Sequence, residues 1–227
     1  LNMANISAAQ VKALRDRTGA GMMDCKKALQ DADGDEDKAM EDIQKRGLAK
    51  VAKKAGAIAA EGMVHAYIHA GSRVGVLLEV NCQTDFVARN EDFKQFVSDV
   101  AMQIASMTPL YVRESDIPEA DVASQSNIFA GQMEEEARET GKTKPPEANA
   151  KILEGKIAKW KKENCLLDQV SIMVEDKKTI GEIGDELSAR IGEKISIRRF
   201  VRYELGEGIE KKKEDLAAAV AETLAAG

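Results

Sequence analysis

The feature that most constrains the fold is a pair of strand-like segments followed at once by an amphipathic helix. Residues 63–69 and 73–81 are strand-like and are separated by Ala70-Gly71-Ser72, a pattern typical of a β-hairpin. In residues 91–107 the apolar side chains recur at helical spacing, which places them on one face of a helix. A hairpin with a helix packed against it makes an α/β core, so we expect an α+β fold with a small antiparallel sheet.

The first fifty residues predict three short helices joined by tight turns. Ser7 and Gln10 have the spacing of a capping box, so a helix should begin directly after Ser7. Gly47 is expected to end the third helix in the C′ position, and the Ala- and Lys-rich residues 48–60 should form a helical connector. The predicted helices cover residues 8–17, 22–31 and 36–46. Three helices of this length make a small bundle of the size of a binding module.

Residues 121–165 predict a protruding helical hairpin. Two helical arms flank a breaker that contains Lys144, Pro145 and Pro146. The first arm is rich in glutamate and the second in lysine, so antiparallel packing would bring opposite charges together. The charged residues are Glu134, Glu135, Glu136 and Glu139 on the first arm and Lys151, Lys156, Lys159, Lys161 and Lys162 on the second.

The remaining elements alternate between strands and helices. Residues 170–174 read as a short strand, and Thr179 should cap a helix with apolar residues up to Ile191. Alternation through 194–205 predicts a strand, and 212–224 predicts a final helix. One side of that strand should carry Ile195, Ile197, Val201 and Tyr203, and the other should carry Arg198 and Arg202.

These elements suggest five segments along the chain. We expect an N-terminal three-helix module with its connector, a core in two parts, a hairpin inserted between them, and a C-terminal helical module. The boundaries are 1–55 for the module, 56–122 and 166–205 for the core, 123–165 for the hairpin and 206–227 for the C-terminal module.

Charge and composition exclude several classes of protein. Lys and Arg total 33 against 39 Asp and Glu, a net charge of −6, which disfavours a non-specific nucleic-acid binder. Three cysteines at wide spacing, without a C-x-x-C pair or a signal-peptide-like run, favour a reducing compartment such as the cytoplasm, or an organelle matrix or stroma after processing. No membrane association is expected. Leu1 and Asn2 precede Met3, which we expect to be the natural first residue.

The sequence offers no residues arranged for covalent chemistry. No glycine cluster has the spacing of a nucleotide-binding loop, and the acidic residues 31–37 lack the spacing of a calcium loop. His65 and His69, the only histidines, would lie about 13 Å apart on one strand, too far to share a metal ion. We therefore expect no enzyme activity and no cofactor, and we favour an interaction function over an enzymatic one.

The junction between the second strand and the amphipathic helix allows two interpretations. In the first, Thr84 or Asp85 caps a helix and Phe86 enters the core. In the second, a carboxylate and an apolar side chain project outward to contact another protein. Spacing alone leaves both open.

Two long motifs resemble a known family. Residues 15–29 (R-D-R-T-G-A-G-M-M-D-C-K-K-A-L) and 79–90 (E-V-N-C-Q-T-D-F-V-A-R-N) resemble the two signatures of the elongation factor Ts family, guanine-nucleotide exchange factors for elongation factor Tu. Shorter matches at 67–76, 191–200 and 203–211 follow in the same order, so the resemblance covers nearly the whole chain.

The resemblance implies roles for particular residues. It implies that the N-terminal module is similar to ubiquitin-associated domains and docks on the partner's nucleotide-binding domain through a surface at Met22, Met23 and Lys26. It implies that Asp85 and Phe86, flanked by Thr84 and Val87, are the exchange residues, with the ring wedging between two helices near the partner's magnesium and phosphate site. His69 matches a contact histidine, and Gly206 and Gly208 match the junction to a C-terminal helical module. The helical hairpin matches the family's coiled-coil protrusion.

The chain departs from the longer members of that family. They carry two related core halves, one with the Asp-Phe motif and one with the histidine motif, whereas this chain has a single strand-hairpin-helix unit bearing both. It resembles the short form, so we expect a homodimer that rebuilds the two-part surface. The alternative is a ubiquitin-associated-type scaffold or RNA-binding adaptor without exchange activity, with Arg198, Arg199 and Arg202 as a basic strip.

Overall fold

The computed structural model describes residues 6–53, 59–141 and 144–209 of the chain. The helices are α1 Ala8–Thr18, α2 Met22–Asp31, α3 Glu36–Lys53, α4 Asp85–Ala88, α5 Glu91–Met107, α6 Glu119–Thr140, α7 Pro146–Asn164 and α8 Ile180–Ile191. The strands are β1 Glu61–Ile68, β2 Val74–Cys82 and β3 Ser196–Glu204, and single 3-10 turns lie at Glu114–Asp116 and Leu166–Asp168. This is a helix-rich α+β fold with a small sheet, as predicted.

The three N-terminal helices form a bundle with an apolar core of its own. The predicted capping box at Ser7 and Gln10 is present, and α1 ends at Gly19 in the left-handed conformation. Leu14, Cys25 and Leu29 are fully buried between the helices. Because each helix buries only one side, the outer faces of α1 and α2 stay exposed.

Gly47 does not end the third helix, as the sequence predicted, because α3 continues to Lys53. Gly47 is buried where α3 crosses α8, and a Cβ at this position would lie 2.5 Å from the backbone oxygen of Ala189. The missing side chain therefore serves close helix packing rather than chain reversal. The predicted connector is helical up to Lys53, Ala59 and Ala60 are not helical, and residues 54–58 lie outside the described residues.

The sheet is antiparallel in the order β1-β2-β3, and the predicted hairpin forms its first two strands. Helix α5 covers one face, with Phe93, Val97 and Val100 fully buried against β2 and α8. Buried side chains alternate along β2 at Val76, Leu78, Val80 and Cys82. This alternation leaves the other face of β2 outside the core.

A β-bulge changes which residues of β3 face the core. Glu79 pairs with Arg199, but Val80 pairs with Ile197, so Arg198 is the extra residue. One added residue moves every later side chain to the opposite face. The predicted alternation is therefore wrong beyond the bulge: Val201 and Tyr203 are exposed, while the side chain of Arg202 is only 13% exposed.

The predicted helical hairpin is present as α6 and α7, and neither helix contains a buried residue. In the described part of the hairpin no ion pair joins the two helices, contrary to the charge pairing predicted from the sequence. Arg138 pairs with Glu135 within α6, and Lys161 pairs with Glu114 outside the hairpin. One contact between the two helices is instead the Lys156 ammonium over the Phe129 ring, 5.6 Å from its centre.

Residues 170–174 do not form the predicted strand; Val170 makes only an isolated bridge to Thr179. The backbone of this segment hydrogen-bonds to the buried side chain of Gln103 rather than to a neighbouring strand. The amide of that side chain donates to the Val170 carbonyl over 3.2 Å, and its oxygen accepts the Ile172 N–H over 3.0 Å. The N-cap predicted at Thr179 is present, and Glu182 completes a capping box with it. The predicted helix at 212–224 lies outside the described residues.

Candidate partner-binding surface

The segment after β2 turns sharply into the one-turn helix α4. Thr84 is extended, with φ −128° and ψ 153°, and its hydroxyl accepts a hydrogen bond from the Val87 N–H over 3.5 Å. The Cys82 thiol donates to the Thr84 carbonyl over 3.2 Å. Thr84 is therefore the N-cap of α4, which agrees with one part of the first interpretation of this junction.

Phe86 projects outward from α4, and 78% of its side chain is exposed, whereas Val87 is buried in the core. Val87 takes the inward position that the first interpretation gave to Phe86. Asp85 is half-exposed beside the ring and pairs with Arg89 over 3.0 Å. A large aromatic side chain held in water by a capped helix matches the second interpretation, that of an apolar contact flanked by a carboxylate.

Glu193 holds this turn in place, and the sequence analysis did not single it out. Its two carboxylate oxygens accept hydrogen bonds from Thr84, one from the backbone N–H over 3.1 Å and one from the hydroxyl over 3.0 Å. The two residues lie 109 positions apart in the chain. No local pattern marks such a pair, so only the fold reveals it.

Met22, Met23 and Lys26 lie together on the outer face of α2. All three are exposed, while Cys25, one position before Lys26, is buried among the N-terminal helices. Met23 is 76% exposed, which is unusual for a large apolar side chain. Two methionines next to a lysine make an adaptable apolar surface with one positive charge.

The N-terminal helices contact the end of the core that carries Phe86. Gly19, at the end of α1, packs on the aliphatic part of Arg190, since a Cβ there would lie 2.7 Å from Arg190 Cδ. The guanidinium of Arg190 pairs with Asp92 over 3.5 Å. Asp92 lies in the first turn of α5, six residues after Phe86.

His69, Gly206 and Gly208 lie at the opposite end of the sheet. His69 is exposed just after β1, and its Nδ1 lies 3.0 Å from the Tyr67 hydroxyl. Both glycines have positive φ in the turn after β3, where the Leu205 N–H bonds to the Arg73 carbonyl. Because β2 has nine residues, the two ends of the sheet are about 27 Å apart. One chain therefore does not bring His69 and Phe86 together.

The sheet face opposite α5 carries exposed apolar residues from all three strands. The register places Ala66, Leu77 and Val201 in one row and Ile68, Gly75 and Tyr203 in the next. We call these six positions and Val64 the open sheet face. Five of them are large exposed hydrophobic residues: Val64, Ile68, Leu77, Val201 and Tyr203. A contiguous apolar area of this kind is typical of an interaction surface.

The three arginines of the predicted basic strip are engaged within the chain. Arg198 and Arg199 each donate to Glu79 over 2.7 Å. These two hydrogen bonds lower the pKa of Glu79 to about 2, and the one from Arg198 has the larger effect. Arg202 pairs with Glu204 over 2.7 Å, and its side chain is largely buried. The two carboxylates therefore offset two of the three positive charges.

Two further observations concern the described residues 6–53, 59–141 and 144–209. They contain no group of three or more His, Cys, Asp or Glu side chains placed to hold a metal ion. None of their helices is long and apolar enough to cross a membrane.

Comparisons with known proteins agree with the two sequence motifs. The family model described as Elongation factor TS matches residues 5–207. The protein named Elongation factor Ts from Desulfitobacterium hafniense is 53% identical over 218 residues, covering 96% of this chain and 97% of that protein. The one from Myxococcus xanthus is 53% identical over 223 residues, covering 98% and 99%. That from Moorella thermoacetica is 52% identical over 209 residues, covering 92% and 100%. The chain is thus a member of the elongation factor Ts family.

Proposed function

We propose that this chain is a guanine-nucleotide exchange factor that binds elongation factor Tu carrying GDP and speeds the release of GDP. Family membership supports the partner and the class of activity. The observation that carries the proposal is the exposed Phe86 ring, held outward by the capped turn and by buried Val87. In this scheme Asp85 and Phe86 insert beside the partner's magnesium and phosphate site.

Exchange of this kind requires coupled binding rather than covalent chemistry. If the factor binds the empty partner more tightly than the GDP-bound partner, linkage requires that the factor weaken GDP binding to the partner by the same ratio. Burying the Phe86 ring between two helices of the partner would supply about 1.5–3 kcal/mol. That free energy would hold the helices apart, so that the magnesium ion and the phosphate groups lose contacts. GDP then leaves faster, and GTP binding releases the factor.

The N-terminal module is the proposed docking element. Met22, Met23 and Lys26 would contact the partner's nucleotide-binding domain, and they belong to the helices that pack at the Phe86 end of the core. The similarity of this three-helix module to ubiquitin-associated domains, the coiled-coil nature of the α6–α7 hairpin and a cytoplasmic location stay predictions from the sequence.

The second contact region and the dimer belong together in the proposal. His69, Gly206 and Gly208 would contact the partner about 27 Å from Phe86, so one chain presents two separate regions. A second copy packed on the open sheet face would cover its apolar residues and supply a second set of both regions. We therefore propose a homodimer that binds two partner molecules.

The dimer is tested by light scattering on the intact chain at micromolar concentration. The parent should have the mass of two chains, and Leu77→Glu, which places a charge in the middle of the open sheet face, should have the mass of one. Leu110→Glu, at an exposed leucine away from this face, should remain dimeric. A parent with the mass of one chain would contradict the dimer.

The exchange activity is tested by release of mant-GDP from elongation factor Tu. The parent chain should speed release, and Phe86→Ala should lower the maximal rate by about 10- to 100-fold, the equivalent of the ring's burial free energy. Leu110→Ala, a truncation at another exposed apolar residue, should leave the rate unchanged. If Phe86→Ala releases GDP as fast as the parent, the wedge mechanism is wrong.

The alternative is a scaffold or RNA-binding adaptor without exchange activity. Its basic strip is weakened because Glu79 and Glu204 pair with the three arginines. Filter binding to RNA in parallel with the mant-GDP assay separates the two functions. RNA binding without any acceleration of GDP release would favour the alternative.

A further inference from the structure

Helix α4 is too short to hold Phe86 in place by itself. It has four residues, fewer than an isolated helix needs to be stable, and its exposed Phe86 makes little contact with the rest of the chain. Its direction is therefore set by attachments on either side of the ring. One attachment is Val87, buried in the core, and the other is Thr84, the N-cap.

Glu193 fixes the position of Thr84 and the role of its hydroxyl. Because the Thr84 hydroxyl donates its proton to Glu193, its oxygen is left to accept from the Val87 N–H. A chain of hydrogen bonds thus runs from the first turn of α4 to a carboxylate on another element. Both bonds to Glu193 are charge-assisted and partly buried, which makes them stronger than neutral ones.

Glu193 itself stands on a rigid support. It follows Gly192, which ends α8 with φ 81°, and precedes Ile195, which is buried and donates its N–H to the Ser188 hydroxyl over 3.0 Å. Helix α8 also packs against α3 at Ala189 and Gly47. The same short segment therefore fastens both the N-terminal module and the turn that carries Phe86.

We propose that Glu193 is a positioning residue for exchange, which aims Phe86 through Thr84 and fixes its place relative to the N-terminal docking surface. This inference rests on the proposed function. Glu193 acts through Thr84, to which both of its carboxylate oxygens are hydrogen-bonded.

The experiment replaces Glu193 by Gln in the intact chain. A Gln side chain in the same position has an NH2 donor in place of one of these two oxygens and carries no charge, so the N–H and the hydroxyl of Thr84 no longer each face a charged acceptor oxygen. In the mant-GDP assay with elongation factor Tu, Glu193→Gln should lower the maximal release rate by about tenfold, the equivalent of one lost charge-assisted bond. The half-saturating concentration of the factor should stay within about twofold of the parent, since docking through α2 is unchanged.

Two further variants separate positioning from a general structural effect. Thr84→Val removes the hydroxyl that donates to Glu193, so it should resemble Glu193→Gln. Glu175→Gln, at an exposed glutamate, is the matched control and should have no effect. Urea unfolding verifies that each variant is folded at the assay temperature; if Glu193→Gln is not, Thr84→Val carries the same expectation.

Hydrogen exchange gives a readout that does not depend on the partner. In the free chain, the amides of residues 84–90 should exchange at least tenfold faster in Glu193→Gln than in the parent, because the bond to the Thr84 N–H is weakened. If that exchange is unchanged, or if the variant raises only the half-saturating concentration, Glu193 is not a positioning residue. If the parent itself fails to speed GDP release, the proposed function is wrong, and hydrogen exchange still decides whether Glu193 holds the turn.

Discussion

The crossing of α3 and α8 at Gly47 tests how the N-terminal helices are held against the core. Changing a glycine to alanine inside a helix normally stabilises a protein by about 0.5–1 kcal/mol. At Gly47 the added methyl group would lie 2.5 Å from the backbone oxygen of Ala189 and 2.8 Å from its Cβ. These atoms cannot rotate away, so the helices must separate, and such overpacking costs about 1–3 kcal/mol. We expect the steric cost to dominate, with a net loss of about 1 kcal/mol.

Gly155 in α7 provides the matched control. It lies in a helix interior, and a Cβ there would meet no atom within 4 Å. Gly155→Ala should therefore gain the full helix preference, about 0.5–1 kcal/mol. The helix preference cancels when the two variants are compared, so their difference in free energy of unfolding should equal the overpacking cost, about 1–3 kcal/mol.

Urea unfolding followed by circular dichroism measures both variants under the same conditions. The denaturant slope should be unchanged, so that the shift in midpoint reports stability alone. If Gly47→Ala is stabilised as much as Gly155→Ala, then α3 can move away from α8 without loss of stability. In that case the close approach at Ala189 is not what positions the N-terminal module.

Two other predictions concern charge and buried thiols. Because Arg198 and Arg199 lower the pKa of Glu79 from 4.5 to about 2, ionised Glu79 stabilises the fold fully above pH 4.5, and this contribution is lost as pH falls towards 2. The difference in urea midpoint between the parent and Glu79→Gln should therefore be constant near neutral pH and shrink over that interval; a constant difference throughout would contradict the pairing. The three cysteines are buried, and burial raises the pKa of Cys165 to about 11, so a disulfide reagent should label them rapidly only in urea. Fast labelling of the folded chain would show that these thiols are accessible.

The sequence predicted the elements whose signals are local. The capping box at Ser7 and the N-cap at Thr179 were predicted and are present, because a cap needs only residues within one turn. Gly47 was misinterpreted because glycine serves both to end helices and to permit close packing. Only the neighbour on α8 distinguishes the two uses. The bulge at Arg198 likewise depends on pairing with β2, which alternation along β3 alone does not reveal.

For the candidate surface, the sequence supplied the residues but not their arrangement. The spacing around Phe86 fitted either a buried or an exposed ring, and the fold decides between them because Val87 fills the inward position. The separation of His69 from Phe86 follows from strand pairing, which a linear motif does not encode. Glu193 was missed because its role depends on a contact between residues that are distant in sequence.

The Phe86 ring can separate two helices of a partner only if the turn that carries it, the base, is harder to displace than those helices. The Phe86 ring would supply about 1.5–3 kcal/mol on burial, and the base must withstand a comparable opposing free energy. Burial of Val87 provides about 1.5–3 kcal/mol, and the charge-assisted bonds from Thr84 to Glu193 add about 1.5–3 kcal/mol each. With both attachments, the free energy that holds the turn in place exceeds the free energy gained by burying the Phe86 ring. When either is removed the energies become closer, and turning the ring aside begins to compete with separating the partner's helices.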